Sequence, residues 1–248
     1  MENTKRFTNR SDNYVKYRPE YPTEIIELLQ KEIHLDEFKD VADVGSGTGM
    51  FSRLFAKNGN ITFGVEPNDE MRLKAEKSLG KYLNFISING TAEFTNLADS
   101  SVDIVTAADA IHWFDMFKAK SEFSRILRDD GYCVIVYHIT KNNTPFMKEF
   151  NKLIKLLKKA EKSDDEKFEK SVEKFFGPKK AKVKTLNSTH EMSFAELKGL
   201  VLSYAIMPED GELHKKTLKE LKNIFDRNNL SGSVSMEYKI KILIGNNK

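Results

Sequence analysis

The fold of this chain is decided by the stretch Val41-Ala42-Asp43-Val44-Gly45-Ser46-Gly47-Thr48-Gly49. Its first four residues are typical of a buried strand, and three glycines follow at alternate positions. Glycine has no Cβ, so such a loop can turn tightly and let its backbone touch a ligand. The dinucleotide pattern G-x-G-x-x-G would require glycine where Met50 stands. The loop therefore favours a ligand made of a nucleoside and an amino acid over a pyrophosphate.

Strand-like and helix-like segments alternate around this loop, which is the pattern of βαβ units and a parallel sheet. The predicted strands are 41–45, 61–66, 83–88, 102–107 and 132–139, and the predicted helices are 50–57, 69–79 and 114–127. Asp130-Gly131 is predicted to turn the chain into the last of these strands. Later segments predict helices over 146–162, 164–176, 194–204 and 213–228, a break at Gly177-Pro178, and strands over 181–186 and 237–244.

The 248 residues suffice for a single domain. We divide it into an N-terminal helical cover (1–39), a binding core (40–140), a Lys-rich helical insertion or lid that includes a late strand (141–228), and a closing strand (229–248). A net charge of +3 gives no indication of a nucleic-acid partner. The single cysteine, Cys133, excludes an intrachain disulfide, and no apolar run is long enough to cross a bilayer. We expect a cytoplasmic monomer or homodimer without stable membrane insertion.

Polar residues follow three further predicted strands, where open α/β sheets bind their ligands. Glu66 ends the second strand, and a carboxylate there can accept hydrogen bonds from two ribose hydroxyls. Thr91-Ala92-Glu93 follows the third strand and could meet an adenine edge. Asp109 and Ala110 follow the fourth strand and would face the reactive end of the ligand.

These segments resemble class I S-adenosylmethionine-dependent methyltransferases. Val41–Gly49 looks like the first motif of the family, Glu66 like its ribose-binding acid and Thr91–Glu93 like its adenine-side loop. The stretch around Asp103 resembles the start of the fourth strand. Arg125–Gly131 resembles the R-x-L-x-x-G-G turn, with Asp130 in place of the first glycine. The resemblance implies S-adenosylmethionine as cofactor and a Rossmann-like, doubly wound seven-stranded sheet of order 3-2-1-4-5-7-6, with strand 7 antiparallel.

Two further stretches, Asn13–Pro22 and Ala110–Asp115, are similar to the trans-aconitate-methyltransferase-like, small-molecule branch. This similarity implies in-line transfer of a methyl group to a small molecule, at a carboxylate or hydroxyl oxygen. A catalytically silent S-adenosylmethionine-binding protein is an alternative from another class. An NAD-dependent oxidoreductase is a third reading, which Met50 disfavours.

The candidate residues fall into three groups. We expect catalytic roles for His112, as a general base, and for Tyr14, whose ring face could lie over the sulfonium. A structural hydrogen bond is the competing explanation for His112. The expected substrate-binding residues are Tyr17, Arg18, Trp113 and His138. The expected cofactor-binding residues are Asp43, Gly45, Ser46, Gly47, Thr48, Gly49, Glu66, Pro67, Met71, Thr91, Ala92, Glu93, Asp109 and Ala110. No His, Cys and acid cluster has zinc spacing, so no metal site is expected.

Overall fold

Seven strands form one mixed sheet in a computed structural model that describes residues 10–160, 172, 175, 176 and 181–246. Their order, β3-β2-β1-β4-β5-β7-β6, confirms the predicted topology. Strands β1 to β5 run parallel, and β7 lies antiparallel between β5 and β6. The strands are β1 (Val41–Val44), β2 (Thr62–Val65), β3 (Phe85–Ile88), β4 (Val102–Ala108), β5 (Leu127–Thr140), β6 (Lys182–Met192) and β7 (Val234–Gly245).

Eight helices surround the sheet within the described residues, with a short 3-10 helix at Ile111–Trp113. They are α1 (Ser11–Tyr17), α2 (Glu24–Ile33), α3 (Ser52–Asn58), α4 (Asp69–Leu79), α5 (Met116–Ile126), α6 (Pro145–Ala160), α7 (Phe194–Leu202) and α8 (Gly211–Asn228). Side-chain caps fix where several of them begin. Asn68 caps α4, Asp115 caps α5, and Ser193 forms a capping box with Glu196 at α7.

The apolar core lies on both faces of the sheet, as expected for parallel strands covered by helices. On one face Phe123 of α5 packs over β1, β4 and β5, and on the other Leu29 of α2 and Phe55 of α3 pack over the same strands. A third cluster joins α6, α7 and α8 to the start of β7. This third cluster places α7 beside the carboxyl ends of the central strands. None of the described helices has the length and apolar character needed to cross a membrane.

The structure differs from the prediction mainly in the late strands and at the start of β5. Strand β6 extends to Met192 and β7 begins at Val234, because polar residues on an edge strand hid the pairing of the two strands from the hydrophobic pattern. Asp130-Gly131 lies inside β5, where the register against β4 shifts, and does not form a separate turn. The predicted helix 164–176 and the break at Gly177-Pro178 lie outside the described residues, apart from Val172, Phe175 and Phe176, which pack in the core.

One buried acid fixes the loop between β3 and β4. Glu122 of α5 is 7% exposed and accepts hydrogen bonds from the Thr95 backbone N–H at 2.7 Å and the Thr95 hydroxyl at 2.6 Å. Arg125 donates to the same carboxylate at 2.8 and 2.7 Å. Burial alone would raise the pKa of Glu122, but the bonds from Arg125 and Thr95 outweigh it and lower that pKa to about 2.

We expect Glu122→Gln to lower the free energy of unfolding at neutral pH by about 1–3 kcal/mol, because charge-assisted hydrogen bonds are lost. The folded-state pKa lies below the unfolded value of about 4.3, so this stabilisation exists above that pH and disappears as pH falls towards 2. Chemical denaturation of both proteins across this range measures it. The exposed Glu27→Gln is the control. If the difference in unfolding free energy between wild type and Glu122→Gln did not change with pH, the proposed role of the Glu122 charge would be contradicted.

Candidate active site

The glycine loop between β1 and α3 has a left-handed backbone at all three glycines. Gly45, Gly47 and Gly49 have φ of +71°, +56° and +78°, a region that other residues rarely adopt. A Cβ on Gly45 would lie 2.7 Å from Cβ of Ala110, and one on Gly49 would lie 2.7 Å from Cδ1 of Leu79. A side chain at Gly45 would therefore force the backbone around Ala110 to shift, and one at Gly49 would displace the Leu79 side chain.

Gly47 is different because it has space around it. The nearest atom to a Cβ at this position would be Cε of Met71, at 3.4 Å. Packing within the protein therefore does not explain glycine here. A half-buried stretch of backbone with free space beside it, at the carboxyl end of β1, is suited to contact with a ligand.

Glu66 joins this loop to the end of β2. It is 9% exposed; one carboxylate oxygen accepts the Gly47 backbone N–H at 2.9 Å and the other accepts that of Asn68 at 2.8 Å. Burial raises the pKa of Glu66, against the lowering effect of these two bonds. Each carboxylate oxygen can accept more than one hydrogen bond, so Glu66 can still receive bonds from two vicinal hydroxyls.

Thr48 adds an unused polar atom to the loop. Its side-chain oxygen is buried and has no hydrogen-bond partner in the described part of the chain. Buried polar atoms in proteins are nearly always bonded, and an exception calls for a reason. The unused Thr48 hydroxyl, the open Gly47 backbone and the Glu66 carboxylate are together suited to a polar nucleoside ligand.

Asp43 lies beneath the loop and points away from its open side. Its two oxygens accept the Ser52 hydroxyl at 2.6 Å and the Thr106 hydroxyl at 2.9 Å. Burial raises the pKa of this carboxyl to about 6. Asp43 thus ties β1 to α3 and β4, which makes it a positioning residue for the loop.

The remaining residues predicted for the cofactor lie around the loop. The Ser46 N–H bonds to the end of β2, Met71 is buried under Gly47, and Pro67 follows Glu66. Thr91 and Phe94 close a tight turn, in which Ala92 is buried. Glu93 accepts the Asp115 backbone N–H at 2.8 Å, at the start of α5.

A small cavity of about 40 Å³ adjoins the loop at the ends of β4 and β5. The N-terminal segment, α7 and the start of β7 cover it. Its wall contains four tyrosines, one arginine, one histidine and one acid. The lining residues are Tyr14, Arg18, Pro19, Tyr21, Met50, Asp109, His138, Leu200, Tyr204 and Tyr238.

Asp109 and His138 form a bonded pair in this wall. Asp109 follows β4 with a left-handed φ of +48°, a strained conformation of a kind often found at functional sites. One of its oxygens accepts the His138 backbone N–H at 2.9 Å, and the other lies 2.6 Å from His138 Nδ1 and 2.7 Å from the Tyr21 hydroxyl that donates to it. Burial would raise the pKa of Asp109, but the effects of His138 and Tyr21 outweigh it and hold that pKa well below its usual range.

Arg18 forms another part of the wall, held by neutral groups. Its Nε donates to the Ser203 hydroxyl at 3.0 Å, and its guanidinium stacks 4.9 Å from the ring centre of Tyr14 and 4.7 Å from that of Tyr204. Within residues 10–160 and 181–246 no carboxylate forms an ion pair with it. The guanidinium is therefore held in position by a hydroxyl and two aromatic rings.

Three of the predicted catalytic or substrate residues lie outside the cavity wall. His112 is exposed in the 3-10 helix, and its ring lies 4.7 Å from that of Trp113. Tyr17 faces α7, where its ring contacts Gly199 so closely that a β-carbon would not fit. Tyr21, Tyr204 and Tyr238 also line the cavity, although none of them was among the predicted site residues. Tyr21 stands in a stretch singled out for its resemblance, but no motif marked the other two.

Comparison with known proteins finds similarity to methyltransferases. A family model described as a methyltransferase domain matches residues 42–135. An uncharacterized methyltransferase of Schizosaccharomyces pombe is 29% identical over 196 residues, which cover 78% of this chain and 76% of that protein. A probable S-adenosylmethionine-dependent methyltransferase of Saccharomyces cerevisiae is 30% identical over 146 residues, which cover 57% and 50%. The chain thus spans between half and about three quarters of the length of these curated relatives.

A solved structure from Anaeromyxobacter dehalogenans, provisionally assigned as a type II methyltransferase, has the same fold. Its TM-score is 0.70 at 19% identity, with 93% of this chain and 98% of that chain covered.

The two outer glycines and the central one should respond differently to alanine. Gly49→Ala meets Leu79 in addition to a strained φ, so we expect it to lower the free energy of unfolding by about 2–4 kcal/mol. Gly47→Ala has only the backbone strain of its positive φ, so we expect it to lower the free energy of unfolding by about 1–2 kcal/mol. Its methyl group would fill the free space beside Gly47, so S-adenosylmethionine binding should weaken at least about tenfold. Denaturation and calorimetric titration measure both. Wild-type affinity in folded Gly47→Ala would mean that the ligand does not approach this backbone.

Proposed function

We propose that this chain, a class I S-adenosylmethionine-dependent methyltransferase, methylates an oxygen atom of a small anionic molecule held in the cavity beside the glycine loop. The observation that carries the substrate class is Arg18, a fixed cation on the cavity wall without an ion-pair partner in the described ranges. A half-buried guanidinium presents paired N–H donors that match a carboxylate or phosphate.

The glycine loop and Glu66 are the groups that would hold the cofactor. Glu66 would accept bonds from the ribose hydroxyls, the Gly47 backbone would contact the ligand directly, and the Thr48 hydroxyl would gain a partner. S-adenosylmethionine supplies a methyl group on a positively charged sulfur. This end of the sheet is favourable for a cation because it carries two acids, Glu66 and Asp109, and the rings of Tyr14 and Tyr21.

The protein contributes mainly alignment and exclusion of water. Fixing the acceptor, the methyl carbon and the sulfur in line can contribute about 7–11 kcal/mol to lowering the barrier. Arg18 would bind the anionic end of the acceptor, while the aromatic side chains pack against its body. Tyr17, Trp113 and the exposed His112 lie outside the cavity wall, so the proposal assigns them no contact with the acceptor.

Glu66→Gln keeps the size of the side chain but removes its charge. We expect S-adenosylmethionine binding to weaken by about 1–3 kcal/mol, because bonds to a charged acceptor become bonds to a neutral one. Calorimetric titration with S-adenosylmethionine measures this, and Glu27→Gln, at an exposed position on α2, is the control. Equal affinity in wild type and Glu66→Gln would remove Glu66 from the ribose site.

Arg18→Met tests the anionic substrate class. In the presence of S-adenosylhomocysteine, we expect wild-type protein to bind benzoate more tightly than neutral benzamide, and the variant to lose about 10-fold or more of the benzoate affinity. Affinity for S-adenosylhomocysteine should stay within about twofold, since Arg18 lies outside the glycine loop. A preference for the neutral compound in wild type would contradict an anionic substrate.

A further inference from the structure

His138, in the wall of the cavity, has a buried ring nitrogen that the methyl-transfer proposal has not used. His138 is 9% exposed, and its Nε2 is buried without a hydrogen-bond partner within the described ranges. Its other ring nitrogen faces Asp109 at 2.6 Å. An unpaired buried imidazole nitrogen costs free energy, so its retention here calls for a ligand that supplies the missing bond.

The environment of His138 decides which of its nitrogens carries the proton. The oxygens of Asp109 act as acceptors in their other bonds, and a carboxylate can only accept hydrogen bonds. In the neutral ring, a proton on Nδ1 satisfies the short contact with Asp109, and Nε2 is then left with a lone pair. Asp109 is itself held by the His138 backbone N–H and by the Tyr21 hydroxyl, so the orientation of the ring is fixed from two sides.

From this geometry we infer that His138 is the general base of the reaction and Asp109 its positioning residue, and that the accepting group is consequently a hydroxyl rather than a carboxylate. The inference rests on the proposed function and specifies its acceptor. A carboxylate is already ionised and would need no base. If the acceptor were a carboxylate, the Asp109–His138 pair would only bring a second negative charge close to its anionic oxygen. A hydroxyl, in contrast, must lose a proton to become a methyl ether.

The step balances without any further reactant. The hydroxyl proton passes to Nε2 of His138, while a lone pair of the oxygen forms the new bond to the methyl carbon. The carbon–sulfur bond breaks, and its electron pair remains on sulfur. The products are a methyl ether, S-adenosylhomocysteine and one proton, which His138 returns to solvent when the products leave.

Arg18 and His138 line the same cavity, so the acceptor class has two parts. One end carries an anion for Arg18, and another position carries the hydroxyl for His138. The four tyrosines of the wall, Tyr14, Tyr21, Tyr204 and Tyr238, favour a flat or aromatic body between these two groups. The substrate class is therefore a hydroxy acid, methylated on its hydroxyl.

Transfer of radiolabelled methyl from S-adenosylmethionine to matched acids tests the inference. The probes are 4-hydroxybenzoate against benzoate and 4-hydroxycinnamate against cinnamate. We expect label only in the hydroxylated member of a pair, in a product that resists alkali because it is an ether. Label in benzoate or cinnamate, or alkali-labile label in any product, identifies a methyl ester and overturns the inference.

His138→Gln should lower kcat on the accepted probe by about 10²–10⁴-fold, the usual contribution of a general base, and leave S-adenosylmethionine affinity within about twofold. Asp109→Asn should also lower kcat. The control is His190→Gln, another partly buried histidine, which bonds to Ser188 on β6 and does not line the cavity. Wild-type turnover in folded His138→Gln overturns the base role.

A measurement without any acceptor decides the case in which no probe is methylated. In nitrogen-15 NMR spectra of the whole protein in mildly alkaline buffer, we expect His138 to carry its proton on Nδ1, and Asp109→Asn to abolish this preference. A proton on Nε2 in wild type overturns the inference and leaves the proposed function standing. Absence of S-adenosylmethionine binding in the same sample would instead overturn the proposed function itself.

Discussion

The hydrogen bond from the Gly47 backbone N–H to Glu66 is the interaction on which the site depends. It connects the turn after β1 to the end of β2 and holds the loop open in its left-handed conformation. It can form because parallel pairing of β1 with β2 brings the carboxyl ends of both strands to the same edge. Asp43 fixes the same loop from below through Ser52 and Thr106. Two buried acids thus shape the loop, one on each side of it.

The acceptor cavity depends on contacts between parts of the chain that are far apart in sequence. Arg10 donates to the backbone oxygens of Tyr204 and Met207, and Arg18 donates to Ser203, so the N-terminal segment is bonded to the end of α7. Together they cover the ends of β4 and β5, where Asp109 and His138 meet. In the proposed function this cover excludes water, which would otherwise compete for the charged groups of the site.

The glycine loop and the position of Glu66 could be predicted from the sequence because these features are local: a strand, a turn with special backbone angles and an acid at the next strand end. The sheet order followed only from the resemblance to a known family, and the structure confirms it. The pairing of Asp109 with His138 depends instead on the register of β4 against β5, which local patterns do not specify. Likewise, Tyr204 and Tyr238 reach the cavity only through the packing of α7 and β7. For His112, proximity to a strand end suggested a place in the cavity, but the intervening 3-10 helix turns the side chain outward. Tertiary contacts, and not residue types, therefore distinguish the two histidines.

The central claim is that the glycine loop and Glu66 bind an adenosyl sulfonium ligand. Calorimetric titration of the purified chain with S-adenosylmethionine, S-adenosylhomocysteine and NAD tests it most directly, after mass spectrometry of a denatured sample to detect any ligand carried through purification. We expect micromolar binding of both adenosyl ligands and no binding of NAD. Binding of NAD alone would contradict this claim. It would also be contradicted if folded, ligand-free protein bound none of the three ligands.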